Sequence, residues 1–162
     1  MYEKLGINDF EIKNLIFKKQ LSRLPTIEEQ LDLDIRQLGS ASGKRQFIPV
    51  NLLSAWKETF ATDSTRRFDV QADSRGFTQM DSITITIPTG FKAESLPEPL
   101  SIKSLFGQYD LTAQLLDKNN VLIKREFVVT NKIFPAKNQT ELAVFFKQVA
   151  KADKVKMVLV KE

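Results

Sequence analysis

The sequence predicts a mostly β fold: a two-sheet antiparallel sandwich of about eight strands, with one C-terminal helix packed against it. Three observations carry this reading. Gln108 to Pro135 reads as two long strands joined at Asp117-Lys118-Asn119-Asn120, a polar loop of the kind that closes a hairpin. Ser82-Ile83-Thr84-Ile85-Thr86-Ile87 alternates apolar and hydroxyl side chains with a period of two. After Pro135 the period changes, and Leu142, Phe145, Phe146 and Val149 fall at i, i+3, i+4 and i+7 on one helical face. A hairpin as long as the first needs a second layer against its apolar side.

Taken in order, the chain opens with Tyr2, Leu5 and Ile7, which suit the last turn of a helix ending near Gly6. Residues 1–8 are therefore expected to be the tail of an upstream domain, and the natural polypeptide is expected to begin earlier. Asp9 to Lys18 fits a strand phase broken by Asn14 and equally one helical face. Its β-branched and aromatic residues favour the strand. In Ile27 to Arg36, Leu31, Leu33 and Ile35 alternate with Asp32, Asp34 and Arg36, which predicts one buried and one wet face. Gly39 to Gly43 reads as a flexible turn and Arg45 to Val50 as a short strand. Leu52 to Asp63 fits a helical turn or a loop, and Arg66 to Val70 a short edge strand. Asp73 to Asp81 reads as a polar turn ahead of the Ile-rich strand. Phe91 to Leu96 and Leu100 to Phe106 are extended, separated by Pro97 and Pro99. In the helix at about 139–151, Asn138 is expected to cap and Glu141 to reach back. Val155 to Val160 closes the chain as a strand. The whole, residues 1–162, reads as a single domain.

Composition excludes several chemistries. The chain of 162 residues contains no Cys and no His. Disulfides, thiolate nucleophiles, Cys-based zinc sites and Ser-His-Asp or Cys-His arrangements cannot be built. The commonest general base near neutral pH is missing too. A net charge of +4 is a modest surplus and does not mark a nucleic-acid binder. No apolar run is long enough for a transmembrane helix, and the first residues do not form a signal peptide. No catalytic residue, metal ligand or cofactor is expected.

Some residues invite a functional reading beside a structural one. Trp56 is either a partly buried core anchor or an exposed stacking platform. Arg66 and Arg67, beside Phe68, are either charges on an edge strand or an anion contact. Asp32 and Asp34 are a solvated strand face or a carboxylate pair. Gly39 to Lys44 falls one residue short of a phosphate-binding loop, and Arg45 stands where that loop needs a hydroxyl.

Ile133-Phe134-Pro135-Ala136-Lys137, Leu142, Phe145, Phe146, Ala152-Asp153-Lys154 and Val158-Leu159-Val160 form a recognisable ending. Arg67 to Val70, Ile83 to Pro88 with Gly90-Phe91, and Leu96-Pro97 fit the same pattern, as does Gly6 to Phe10 at the start. Together they resemble the C-terminal β domain of bacterial transglutaminase-like proteins, in which a papain-like core precedes it. The resemblance implies an accessory sandwich domain of an exported, envelope-associated protein, with the catalytic Cys, His and Asp in the core. Two functions follow as expectations. The first is a non-catalytic interaction module attached to that core. The alternative is a free-standing binder of glycan or anionic polymer using Trp56, Arg66 and Arg67. A third, a hydrolase working with carboxylates alone, would need two acids facing each other in a cleft.

Overall fold

The computed structural model describes residues 9–23, 26–36, 38–63 and 65–162. The expected helix end near Gly6 and the 1–8 tail lie outside them. The strands are β1 (Phe10–Gln20), β2 (Thr26–Ile35), β3 (Ser40–Ser42), β4 (Arg45–Pro49), β5 (Val70–Gln71), β6 (Phe77–Thr86), β7 (Phe91–Ser95), β8 (Leu100–Ser104), β9 (Gly107–Leu115), β10 (Asn120–Val129), β11 (Ile133–Phe134) and β12 (Lys156–Lys161). A 3-10 turn, Ala136–Asn138, leads into the helix α1 (Gln139–Ala152). One four-stranded sheet has the order β6-β10-β9-β8, and the other β3-β4-β12-β7. All their pairings are antiparallel. The eight strands of the sandwich are these. β1 and β2 form a separate two-stranded ribbon, and β5 pairs with β11 in a short bridge.

The long hairpin is β9–β10. Val121, Ile123, Arg125, Phe127 and Val129 occupy one phase, and all five are buried. Its loop is closed by Asp117, whose carboxylate accepts from the Asn120 amide at 2.8 Å and the Asn119 N–H at 2.7 Å. These hydrogen bonds hold the Asp117 carboxyl below its usual range. The core gathers Tyr109, Leu111, Val121, Ile123 and Phe127 from one sheet and Ile48, Met157 and Leu159 from the other. Leu142, Phe145, Phe146 and Val149 come from α1, as the helical period predicted. Phe127 is its hub: its ring lies 5.3 Å from Phe77, 5.4 Å from Trp56 and 6.0 Å from both Tyr109 and Phe146.

Several expectations are corrected. β6 begins at Phe77, five residues before the Ile-rich run, so half of the expected polar turn is strand. Gln79 and Asp81 occupy its inward phase, which hides the alternation from a hydrophobic pattern. Arg66 to Phe68 is not a strand. The Arg66 guanidinium donates to the carbonyls of Phe68 and Asp69 instead, closing a local turn, and pairing starts only at Val70. Ser40–Ser42 is a strand rather than a flexible loop. The turn is confined to Gly43-Lys44, with Gly43 at φ +58°, where a Cβ would be strained. The Asn138–Glu141 capping box does not form: Asn138 makes no side-chain cap bond. The Glu141 carboxylate accepts from the Leu105 N–H at 2.9 Å and the Ser104 hydroxyl at 2.8 Å. These bonds hold its carboxyl below the usual range, and they fasten the helix start to the β8–β9 turn.

The ribbon also departs from expectation. A register shift between Ile12 and Asn14 changes the phase of β1, so that Phe10, Ile12, Leu15 and Phe17 share one face. Across from them, Ile35, Leu33 and Leu31 pair with Phe10, Ile12 and Leu15; toward the ribbon's tip the same face carries Glu29 opposite Phe17 and Ile27 opposite Lys19. That amphipathic face exists as the sequence implies, but it does not join the core cluster. Ile27 is 71% exposed and Phe17 52%.

Phe127→Ala should cost about 3–5 kcal/mol, because the surrounding rings cannot close the cavity it leaves. Thermal denaturation should show a fall on the order of 10 °C. Phe68→Ser, at a position that is 83% exposed, should change stability by no more than about 0.5 kcal/mol.

Candidate functional site

The strongest constellation of charge in the chain is buried. Arg125 stands in the apolar phase of β10, the central strand next to β6, and its side chain is 1% exposed. Its partner Asp153 is the residue that ends α1, and its side chain is fully buried. The pair is bidentate: Nε donates to Oδ1 at 2.8 Å and Nη2 to Oδ2 at 2.9 Å. Nη1 donates to Asp81 Oδ2 at 2.9 Å and Gln79 Oε1 at 3.1 Å. Asp81 faces Arg125 because the two are direct partners in the β6–β10 register. The guanidinium also lies 5.2 Å from the Tyr109 ring centroid and 5.4 Å from that of Phe127, within cation–π range.

Asp153 collects three more donors. The Tyr109 hydroxyl reaches Oδ1 at 2.6 Å, the Asn51 amide reaches Oδ1 at 2.9 Å, and the Trp56 backbone N–H reaches Oδ2 at 2.8 Å. Asn51 Oδ1 in turn accepts the Ser54 N–H at 3.0 Å, and the Ser54 hydroxyl donates to Asp81 at 2.7 Å. Burial alone would lower the Arg125 pKa. The hydrogen bonds and charge of Asp153, with Tyr109 and Asp81, outweigh that and hold it above the ordinary value. Burial, reinforced by the bond to Asp153, pushes the Tyr109 hydroxyl well up, so it stays protonated as a donor. Every polar atom of the Asp153 carboxylate is engaged from inside the protein. Chemically this is a buried ion pair that joins three strands, a helix end and a loop.

The residues singled out from sequence lie elsewhere. The Trp56 ring is half-buried and packs on Phe146 at 5.1 Å, Phe127 at 5.4 Å and Phe77 at 6.1 Å. Its indole N–H donates to the Glu58 carbonyl at 2.8 Å. That is the core-anchor arrangement. Arg66 borders a recess of about 150 Å³ with Phe60, Gln139 and Leu142, and Trp56 is not among its walls. Arg67 is exposed. Asp32 and Asp34 lie on the wet face of the ribbon, where Asn14 and Lys13 meet them. A second pair of acids does come together: Asp110 and Glu126 are register partners on the outer face of the sheet, beside Lys124. Among the described residues no group of three or more His, Cys, Asp or Glu is placed to hold a metal ion. Nor, among the described residues, is any helix long and apolar enough to cross a membrane.

Sequence reasoning missed the Arg125 network, although the signal was present. An Arg in phase with Val121, Ile123 and Phe127 is an inward cation, and an inward cation needs a carboxylate. Asp81, in phase with Ile83 and Ile85, was the matching half.

A sequence profile of the family described as "Domain of Unknown Function with solved-structure structure (DUF3858)" matches residues 44–159. The match contains every member of the Arg125 network and leaves out the β1–β2 ribbon. No curated protein and no solved structure matches the chain.

Asp153→Ala should destabilise the fold by about 3–5 kcal/mol, because it strands a buried cation. Arg125→Met should do so by a similar amount. The double variant Arg125→Met/Asp153→Leu should lose less than the sum of the two, since no bare charge remains. It should not return to wild type, because Tyr109, Asn51 and the Trp56 N–H still lack an acceptor. A double-mutant cycle by urea denaturation reads the coupling. Tyr109 adds an alkaline signature. Its folded pKa is raised, so its contribution is complete below the unfolded value of about 10 and is lost as pH rises through the folded one. The stability gap between wild type and Tyr109→Phe should therefore shrink above about pH 10 in a pH series of denaturation curves.

Proposed function

The chain belongs to the DUF3858 family of domains of unknown function, and from that premise we propose that it is a non-catalytic accessory and interaction module. In this reading it follows a transglutaminase-like core in one polypeptide of the bacterial envelope, as the resemblance of its spaced apolar and turn residues implies. It docks on that core and shapes the approach to the core's cleft.

The observation that carries the reading is the ribbon. A two-stranded ribbon is marginal in water unless its apolar face is covered. Here Phe10, Ile12, Leu15, Phe17, Ile27, Leu31, Leu33 and Ile35 share one face, and none belongs to the core cluster. The opposite face is dressed with ion pairs, Lys13 with Glu11 at 2.8 Å and Lys18 with Glu28 at 3.6 Å, as a solvent face would be. The ribbon precedes the family-matched body, on the side from which a preceding core would be joined. A core surface packed on the apolar face would supply the missing layer. The Arg125–Asp153 cluster supports the same reading, because the Arg125 and Asp153 side chains are buried and their polar atoms are spent on partners inside the protein.

Immunoblotting of source cells with an antibody to this chain should show a band well above 18.5 kDa. In that native polypeptide the β1–β2 amides should be strongly protected from hydrogen exchange. Phe17→Asp with Ile27→Asp should release that protection and leave the isolated chain's melting temperature almost unchanged. A band at 18.5 kDa, or ribbon exchange equal in the native polypeptide and the isolated chain, would overturn the reading.

A further inference from the structure

Three of the four edges of the sandwich are blunted, as edges exposed to other chains generally are. β8 has α1 packed along it. β7 is five residues long, kinked by a register shift against β12, and followed closely by Pro97. β3 has three residues. The fourth edge, β6, has none of these devices. It runs ten residues without Pro, Gly, Lys or Arg and pairs with β10 without a bulge. Its one charge, Asp81, is turned inward to Arg125 and guards nothing outside.

The direction of its free peptide groups follows from the register. Ile87 N–H bonds to the Asn119 carbonyl at 2.6 Å, which places the odd-numbered residues of β6 in the bonded pairs with β10. Thr78, Met80, Ser82, Thr84 and Thr86 therefore direct N–H and C=O to the open side. Among the described residues no backbone hydrogen bond reaches them there. Their side chains are exposed and uncharged, and Met80 is 74% exposed.

A cavity opens at the C-terminal end of this edge. It has a volume of about 300 Å³ and lies between Ile85 and Thr86 of β6 and the other sheet's β3, β4 and β12. Leu38, Ile48, Ile85 and Leu159 give it apolar walls. Arg36 stands among its lining residues and is already paired with Asp9 at 3.5 Å. The space is at the small end for a small-molecule site and suits one large apolar side chain.

We propose that β6 receives an extended segment of another protein, which adds as a fifth strand and seats one large aliphatic or aromatic side chain in this cavity. Main-chain hydrogen bonds along Thr78 to Thr86 would give the affinity, and the cavity the specificity. A second copy of this chain fits less well. Antiparallel pairing of two β6 strands about Ser82 brings Phe77 to Gln79 of one copy against Ile85 to Ile87 of the other. The only large apolar side chain there, Phe77, is already packed on Trp56 and Phe127. The inference does not depend on an attached core.

The test uses ten-residue synthetic peptides of alternating Thr and Ser, with Lys at both ends and each of the twenty residues in turn at one central position. Amide exchange is followed by NMR on the whole chain. Peptides carrying Leu, Ile, Phe or Met should slow exchange at Met80, Ser82 and Thr84 by about tenfold or more, and those carrying Asp or Gly should not. Ser82→Pro removes one outward N–H on an edge strand, where proline is tolerated, and should abolish the protection. Ala41→Trp fills the cavity, leaves the edge untouched, and should remove the preference among anchors. The proposal is overturned if no peptide protects the β6 amides, or if protection falls outside β6. It is equally overturned if sedimentation shows the chain pairing with itself through β6, with the same amides protected in the absence of peptide.

Discussion

The bond between Arg125 and Asp153 is the constraint on which the rest of the structure depends. Arg125 comes from the middle of a central strand and Asp153 from the last turn of the helix. Their closure fixes the angle at which α1 lies on the sheet. Around that pair Asp81 and Gln79 hold the edge strand β6, Tyr109 holds β9, and Asn51, Ser54 and the Trp56 N–H hold the segment after β4. That last segment, from Asn51 to Asp63, has no ladder of its own. It stays over the core because Asp153 and Asp81 accept its polar groups, and it carries Trp56 and Phe60 onto Phe146. Buried ion pairs add little net stability over a well-packed apolar replacement, but breaking one is costly. Their value here is positional. Few arrangements of β10, β6, the helix end and the loop leave all of these donors and acceptors satisfied.

The same economy separates the inside of the molecule from its two unguarded surfaces. The sandwich meets its internal polar groups almost completely: Thr130 Oγ1 is the one buried side-chain polar atom without a partner among the described residues. The ribbon and the β6 edge are unfinished in a different sense. Among the described residues, one presents apolar side chains that join no core cluster, and the other presents peptide groups with no neighbouring strand. An uncovered apolar face and an open edge are the two ways in which a β protein can offer itself to another chain. They lie on different parts of this one. The ribbon stands outside the family-matched body, whereas β6 is inside it. An attached domain and a transient partner could therefore be accommodated at separate places.

Where side chains in one phase shared one character, the fold was legible in the sequence. Val121 to Val129, Ile83 to Ile87 and the Leu142, Phe145, Phe146, Val149 stripe all lie where their periods placed them. Where the inward phase was polar, the pattern failed. Phe77-Thr78-Gln79-Met80-Asp81 looked like a turn because Gln79 and Asp81 face the core only by virtue of Arg125, more than forty residues away. Glu141 sat at the right spacing to cap its own helix. It turned to Ser104 and Leu105 instead, because the β8–β9 turn offered two donors that local reasoning could not see. In β1 the broken phase at Asn14 was a true signal, and only the register with β2 shows that it marks a bulge that keeps the apolar face continuous.

By itself, the sequence determined the class of fold, the hairpin, the helix and its buried stripe, and the absence of thiol and imidazole chemistry. These follow from local periodicity and from composition, which act over a few residues or over none. Tertiary structure alone decided which polar residues went inside, that Trp56 became a core anchor rather than a platform, and which edge was left open. Each of these depends on partners distant in sequence. A buried charge is tolerable only beside its counter-charge, a ring is a platform only if nothing packs on it, and a strand is an edge only when no other strand arrives.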